Sequence, residues 1–402
     1  MTSNSGDTGS LPSRLFSLTE RQQQRIEEVR EIARTELVPL AEAGEPGHVN
    51  RQVLETMGKR GLLEGLFPKS SSGKQSRQAQ AMELCILREA LASVNTESET
   101  ALALQGLGAY PILQSGSQEI VDEWIPKVAA GTAVAAFALT ETGAGSDAAA
   151  LELKAEPDGD GWRLFGEKIW ISNAPEADIY TVFARTTPDA GARGVTAFAV
   201  PGAREGVGGE HIDLVAPHPI GTVTFDGVRV ERGEVLGEVD RGFRVAMKTL
   251  DLFRPSVGAF AVGMGQAALD AAVEYTSTRE AFGGYLSDQQ AVAHALANMA
   301  TQLEASRLLV YAAASAYDSG ASSFEITHRS AMAKLYATET AQFVIDSAIQ
   351  LHGARGLVRG HLLEHLYREV RATRIYEGAS EIQRTIIGRS LYRSNQDKKS
   401  TK

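Results

Sequence analysis

Cysteine is almost missing from these 402 residues: Cys85 stands alone. An internal disulfide is therefore impossible, and no metal-ligand set is read from the chain. The neighbours of Cys85, from Ala81 to Leu87, make it a buried helix residue rather than a reactive thiol. Long apolar runs are missing too; none approaches the roughly 20 residues of a membrane span. Positive charge is in deficit, with 40 Lys and Arg against 50 Asp and Glu. The resulting net charge of −10 argues against nucleic acid as the main partner. Residues 1–16 are rich in Ser, Gly and Thr and lack the apolar core of a secretory signal, so they read as a disordered tail. With no secretory or clear organelle signal, the expected location is cytoplasmic.

What is present is an alanine-rich aliphatic chain long enough for two or three packed layers. Residues 17–130 read as a helical domain. Ser17-Leu18-Thr19-Glu20 fits a capping box, and Ile26, Val29, Ile32 and Ala33 follow at helical spacing. Further helices are expected from Asn50 to Lys59, then near 77–94, 99–115 and 118–127, with Ser70 to Lys74 as a loop. Residues 131–238 change to alternation and turns. Asp158 to Gly161 marks a hairpin, Asp226-Gly227 a second, and Ile179–Ala184 and Val195–Val200 read as strands. From 239 to 392 the helical period returns as a four-helix block, with Pro255 expected to kink its first helix or mark a local start. Residues 393–402 read as a flexible tail.

Several stretches carry chemistry, each beside a structural reading. Ile375-Tyr376-Glu377-Gly378-Ala379-Ser380-Glu381 fits a helix N-terminus, where small and acidic residues satisfy free N–H groups. It also fits a catalytic carboxylate whose backbone, freed by Gly378, lies against a ligand. Phe137 to Asp147 holds Gly143 and Gly145 among hydroxyl side chains, which fits a turn or a cofactor loop. It is neither a Walker loop nor a dinucleotide fingerprint, since no Gly-Lys-Ser/Thr or parallel β-α-β pattern accompanies it. Trp170 within Lys168 to Asn173 suits core packing or a flat aromatic ligand. Arg279 to Leu286 caps a helix with glycines, but Arg279 itself could meet a phosphate. Arg254 lies on an apolar stripe, where a guanidinium needs an ion pair or a ligand.

Taken together and in order, Thr140-Glu-Thr-Gly-Ala-Gly-Ser146-Asp, Lys168-Ile-Trp-Ile-Ser-Asn173, Arg279-Glu-Ala-Phe-Gly283, Gln350-Leu-His-Gly-Ala-Arg-Gly356 and Ile375-Tyr-Glu-Gly-Ala-Ser-Glu-Ile-Gln-Arg384 resemble the acyl-CoA dehydrogenase family over about residues 18–390. The resemblance implies a mainly α, α+β chain: an N-terminal helical domain, a middle antiparallel β-barrel and a C-terminal four-helix bundle. It implies FAD between barrel and bundle. Phe137, Leu139, Thr140 and Ser146 would line the flavin, Trp170 and Ser172 would face its ring, and Ala379 and Glu381 would touch it. Arg279, Phe282, Gln289, Gln290, Gln350 and Gly353 would meet the FAD of a neighbouring subunit, so a homo-oligomer is expected, a tetramer first. Ser146, Asp251, Arg254 and Gly378 would contact the acyl-CoA substrate. Glu377 matches the catalytic base, taking the α-proton while flavin N5 takes the β-hydride to leave a 2-enoyl-CoA. Electron-transfer flavoprotein would reoxidise the flavin. Some members place the base one residue before Arg254, where this chain has Phe253.

Departures bear on the substrate. Ala379 stands where threonine is usual, and Leu214 to Gly221 lacks a common Arg- and Ser-containing run. Glu97 and Glu99 read as helix-cap or surface acids; an inward carboxylate would favour a polar or cyclic acyl group over a plain fatty chain. Two alternatives share the scaffold: an oxidase passing electrons to oxygen, and a non-catalytic DNA-associated relative. The second calls for a basic C-terminal extension, and this acidic chain stops soon after residue 392.

Overall fold

The computed structural model describes residues 18–68 and 76–400, the side chains of 394–400 excepted. The expected tail 1–16 and the loop Ser70 to Lys74 lie outside the described residues. The chain begins with helices α1 (Glu20–Ile32), α2 (Val38–Glu42), α3 (Arg51–Lys59), α4 (Ala81–Ala92), α5 (Thr96–Ser115) and α6 (Gln118–Ala129). The capping box of α1 is not the expected one. Thr19 caps it, its hydroxyl accepting from Gln22 N while Gln22 Oε1 accepts from Thr19 N. α4 is buried almost all round, as its largely apolar sequence requires, and takes Arg88 and Glu89 inside with it.

A sheet follows: β1 (Ala135–Ala138), β2 (Lys154–Asp158), β3 (Gly161–Ser172), β4 (Ile179–Arg185), β5 (Val195–Pro201), β6 (Val207–Gly208) and β7 (Ile220–Val230). It is mixed rather than purely antiparallel. β1 pairs with β4 in parallel, whereas β2–β3, β3–β7 and β4–β5 are antiparallel. The helical domain fixes β1: the buried Gln105 of α5 donates to Ala133 O at 2.7 Å and accepts from Ala135 N at 2.8 Å. The hairpin at Asp158 to Gly161 forms as expected, with Gly159 at φ +61°. The one expected at Asp226-Gly227 does not. Both residues lie inside the continuous strand β7, and Leu164↔Val228 is followed by Phe165↔Asp226. Gly227, at φ +66°, is the extra residue of a bulge. The same left-handed glycine serves a tight turn or a bulge, and only strand pairing decides between them.

The last region holds α7 (Gly242–Thr278), the small hairpin β8 (Glu280–Ala281) and β9 (Gly284–Tyr285), then α8 (Gln290–Asp318), α9 (Ser323–His352), α10 (Leu362–Thr373) and α11 (Ser380–Ser400). α7 is long and apolar enough to cross a membrane by those criteria alone, yet most of that stretch is buried, as in a core helix. It packs on α4, α8 and α9, so helical domain and bundle share one core. Pro255 neither starts nor ends a helix; α7 runs through it. Proline has no N–H to give the carbonyl four residues back. That carbonyl, on Asp251, accepts instead from Ser330 Oγ of α9 at 2.9 Å. α11 continues to Ser400, where the sequence suggests fraying from Ser394.

Candidate active site

The turn between α10 and α11 presents Glu377 on left-handed backbone, φ +52°, followed by Gly378 at φ +93°. A non-glycine residue there is strained by about 1–3 kcal/mol and persists only where its surroundings hold it. Three side chains supply that hold. Arg254 Nε donates to Glu377 O at 3.2 Å. Lys334 Nζ, from α9, donates to Gly378 O at 2.8 Å. Gln383 Nε2, on the first turn of α11, donates to both carbonyls, at 3.2 and 2.9 Å. Every contact is to main chain, so the carboxylate is left over. Its Oε2 is buried without a hydrogen-bond partner, and the Glu377 N–H also lacks an acceptor among the described residues.

Burial pushes the Glu377 carboxyl above the ordinary 4.5, and outweighs the pull of Arg88, Lys334 and Arg254, in that order. The helix-start reading of this segment is also partly right. α11 begins at Ser380, but Ser380 Oγ is engaged by Glu339 at 2.6 Å. Ala379 is half-buried and Glu381 exposed. Phe253, at the alternative base position, is buried against Gly106 of α5.

Arg254 is 5% exposed and is not free to swing. Besides Glu377, it faces Asp251 Oδ1 at 3.5 Å, while Asp251 Oδ2 accepts from Thr327 Oγ1 at 2.7 Å. Asp251 is largely buried, which raises its carboxyl.

The second part of the site is on the sheet. Thr140 O accepts from Ile169 N at 3.0 Å, which joins the loop after β1 to β3. Lys168, fully buried, donates to Leu139 O at 2.9 Å and pairs with Glu141 at 2.7 Å. Glu141 in turn accepts from the N–H groups of Glu152 and Leu153. Glu141 is therefore the strut of this loop. Burial lowers the Lys168 ammonium to about 8 despite that partner. Leu139 is buried, Phe137 is half-buried against Phe183 with ring centroids 5.0 Å apart, and Ser146 is exposed. Added Cβ atoms at Gly143 and Gly145 would meet nothing, so the loop borders open space.

Trp170 is not a core residue. It stands at φ +59° with half its surface exposed. Asn173, at φ +66°, anchors the same segment by donating to Ala135 O at 2.8 Å. Ser172 Oγ lies 2.9 Å from His218 Nε2. Burial holds that imidazole down at about 4, so it is neutral at pH 7.

The third part lies at one end of the bundle. Tyr275 near the end of α7 stacks on His352 at the end of α9, centroids 4.3 Å apart. That contact brings the end of α7, which leads into the β8–β9 hairpin, against the end of α9. Arg279, Phe282, Gln290, Gln350 and Gly353 are all exposed, and Gln289 partly so. Phe282, at φ +56°, is 91% exposed, an unusual posture for a phenylalanine within one chain.

Sequence reading missed four contributors. Lys334 sits among small buried residues of α9 (Ala331, Ala333, Ala337), where a fully buried lysine signals a task. Gln383 and His218 carried no signal. Arg88 was passed over within the apolar helix α4. The Glu97 and Glu99 reading needs division. Glu97 is an exposed first-turn acid near Asn50, whereas Glu99 is fully buried and ion-paired to Arg88.

Elsewhere, His48, Glu176 and His211 come together with potential ligand atoms within 4.8 Å of one another, although no sequence spacing links them. They bond each other, with His48 Nδ1 3.0 Å and His211 Nε2 3.5 Å from Glu176 Oε1, and tie the helical domain to the sheet.

Comparison with known proteins adds an independent line. Family models described as acyl-CoA dehydrogenase N-terminal, middle and C-terminal domains match residues 19–132, 136–228 and 240–392. The chain is 37% identical over 383 residues to the probable acyl-CoA dehydrogenase FadE25 of Mycobacterium tuberculosis, covering 94% of this chain and 97% of that one. It is 36% identical over 370 residues to the caffeyl-CoA reductase-Etf complex subunit CarC of Acetobacterium woodii, covering 90% and 96%. The solved structure of butyryl-CoA dehydrogenase from Megasphaera elsdenii superposes with a TM-score of 0.87 at 32% identity, covering 94% and 99%.

Proposed function

The chain belongs to the acyl-CoA dehydrogenase family, and from that premise we propose that it desaturates the α,β bond of an acyl-CoA thioester with Glu377 as the base and FAD as its cofactor. The observation that carries the reading is the Glu377 carboxylate: its Oε2 buried and unpartnered, its pKa raised, while its backbone is held from three sides. A carboxylate in water is far too weak a base for the α-proton of a thioester. Burial strengthens it, and the unused Glu377 N–H is a donor for the thioester carbonyl as charge develops there.

The residues of the sheet suit a flavin. Trp170 presents half its indole on a backbone that no core packing demands, Ser172 is beside it, and the Gly143–Gly145 loop leaves room. Thr140, Leu139, Phe137 and Ser146 are on the same loop, held rigid by Lys168 and Glu141. Bound there, FAD supplies the acceptor for the β-hydride. The chain's own work is to position the thioester, keep water away from Glu377 and take the proton at its carboxylate. Asp251 and Arg254 act on the substrate side mainly by fixing that carboxylate's backbone.

The exposed cluster of Arg279, Phe282, Gln289, Gln290, Gln350 and Gly353 is unfinished within one chain. It fits a second copy and the pyrophosphate and adenosine end of that copy's FAD, giving a homo-oligomer, tetrameric by preference. The relative named as part of an Etf complex supports electron-transfer flavoprotein as electron acceptor. The deciding test is anaerobic bleaching of the yellow protein by a panel of short, branched, long, cyclic and aromatic acyl-CoA thioesters. Reduction of the bound flavin by at least one member is expected; colourless protein that cannot be reconstituted with FAD sinks the reading.

A further inference from the structure

Arg88 and Glu99 are two buried charged residues that touch neither the Glu377 turn nor the flavin loop. Both are buried, at 3% and 0% exposure. They come from α4 and α5 and meet against α7: Arg88 Nε donates to Glu99 Oε1, and Arg88 Nη1 donates to Ser256 Oγ at 2.8 Å. Ser256 Oγ in turn donates to Phe253 O at 2.7 Å, which fixes it as the acceptor for Arg88. Arg88 exerts the strongest attraction of any cation on the Glu377 carboxyl, and Glu99 repels it. The pair therefore lies within electrostatic reach of the base.

The ion pair is single-toothed. Glu99 Oε2 is buried without a partner, and Arg88 Nη2 makes no hydrogen bond among the described residues. One ion pair thus keeps an acceptor and a donor unused, with the Thr100 hydroxyl near enough to draw the Glu99 carboxyl down a little. A plain alkyl chain against them would leave both unmet, a cost that native interiors avoid. A carboxylate would suit Arg88 but be repelled by Glu99 and Glu377; an ammonium would suit Glu99 but be repelled by Arg88. A neutral hydroxyl fits both, since it donates and accepts at once.

We propose that Arg88 and Glu99 form a hydroxyl-recognising subsite for the acyl group, the substrate hydroxyl donating to Glu99 Oε2 and accepting from Arg88 Nη2. This rests on the thioester reading of the Glu377 site and names its substrate class: acyl-CoA esters with a hydroxyl beyond the reacting α and β carbons. Hydrogen bonds to charged groups give such a substrate a ~10–100-fold advantage over its alkyl counterpart.

The test uses FAD-loaded protein and chain-matched pairs, butyryl- against 4-hydroxybutyryl-CoA and valeryl- against 5-hydroxyvaleryl-CoA. Succinyl-CoA and 4-aminobutyryl-CoA serve as charged controls. Binding is measured calorimetrically in the Glu377→Gln variant, where turnover is blocked, and flavin bleaching is followed in the unaltered protein. A hydroxyl preference of tenfold or more in at least one pair is expected, with both charged controls weaker. Glu99→Gln should shrink that preference, and the double change Arg88→Met with Glu99→Leu should turn it toward the alkyl ester. Equal binding within both pairs, tighter binding of either charged control, or a preference untouched by Glu99→Gln overturns the subsite. The wild-type comparison decides even if the double variant does not fold. Hydroxyl-selective binding without bleaching by any thioester keeps the subsite and removes the dehydrogenase reading; bleaching without selectivity does the reverse.

Discussion

Arg254 meets Glu377 through the backbone, its Nε on the carbonyl oxygen at 3.2 Å, and so leaves the carboxylate free. A guanidinium on the carboxylate itself would have lowered its pKa and spent its lone pairs. Placed on the main chain instead, the charge steadies a left-handed turn while the carboxyl stays raised.

Removing that carboxylate tests it directly. Glu377→Gln should keep FAD and still bind thioester, but lose ~10²–10⁴-fold in the rate of anaerobic bleaching, the usual range for a positioned general base. Bleaching at the wild-type rate would take Glu377 out of the role.

The pH dependence has a definite sign. The base works deprotonated, so the bleaching rate should rise with pH, with its midpoint above the 4.5 of an ordinary glutamate. Lys334 pulls that midpoint down by its charge. Lys334→Met should therefore move it further up, as read in stopped-flow profiles of the two proteins. A midpoint that stays put would show that Lys334 holds only the Gly378 carbonyl.

Gly378→Ala should damage both stability and rate. An added Cβ would lie 2.5 Å from Gln383 Nε2 on a residue at φ +93°. Left-handed strain and the displaced Gln383 bonds together should cost about 2–4 kcal/mol. Denaturant unfolding of the FAD-loaded protein measures this; an unchanged midpoint would mean the turn is looser than it looks.

His218 gives a stability slope. Its folded pKa of about 4 lies below the ordinary 6.5, so between these values the unfolded chain holds a proton that the folded one lacks. Stability should rise with pH across that window and fall on acidification. His218→Gln should flatten the wild-type slope between pH 4 and 6.5 in denaturant titrations; an unaltered slope would place the acid sensitivity elsewhere.

Arg279→Ala should weaken FAD retention and assembly together, because its exposed cluster is proposed to be completed by a second copy. Sedimentation and flavin absorbance read the two quantities on one sample. Unchanged FAD affinity would reject the phosphate role.

Local chemistry made much of the molecule legible beforehand. Helical and alternating periods marked the three regions, because each side chain's period is fixed by its own backbone. Glu377, Gly378 and the glycine-bearing loop stood out because their residue types are costly or unusual where they occur. What failed were matters of pairing. Asp226-Gly227 serves a turn and a bulge equally well until β3 is laid beside it. Pro255 forbids one hydrogen bond but does not say that Ser330 will replace it.

Sequence alone therefore determined the order of the regions, the left-handed glycine at 378 and the acid beside it that is proposed as the base. Tertiary structure decided that Arg254, Lys334 and Gln383 hold its backbone rather than its carboxylate. It also turned Glu99 inward to Arg88 while Glu97, two residues earlier, stayed in water. Burial and ion pairing are relations between segments far apart in the chain, and no local pattern encodes which of two neighbouring acids will face a partner eleven residues away on another helix.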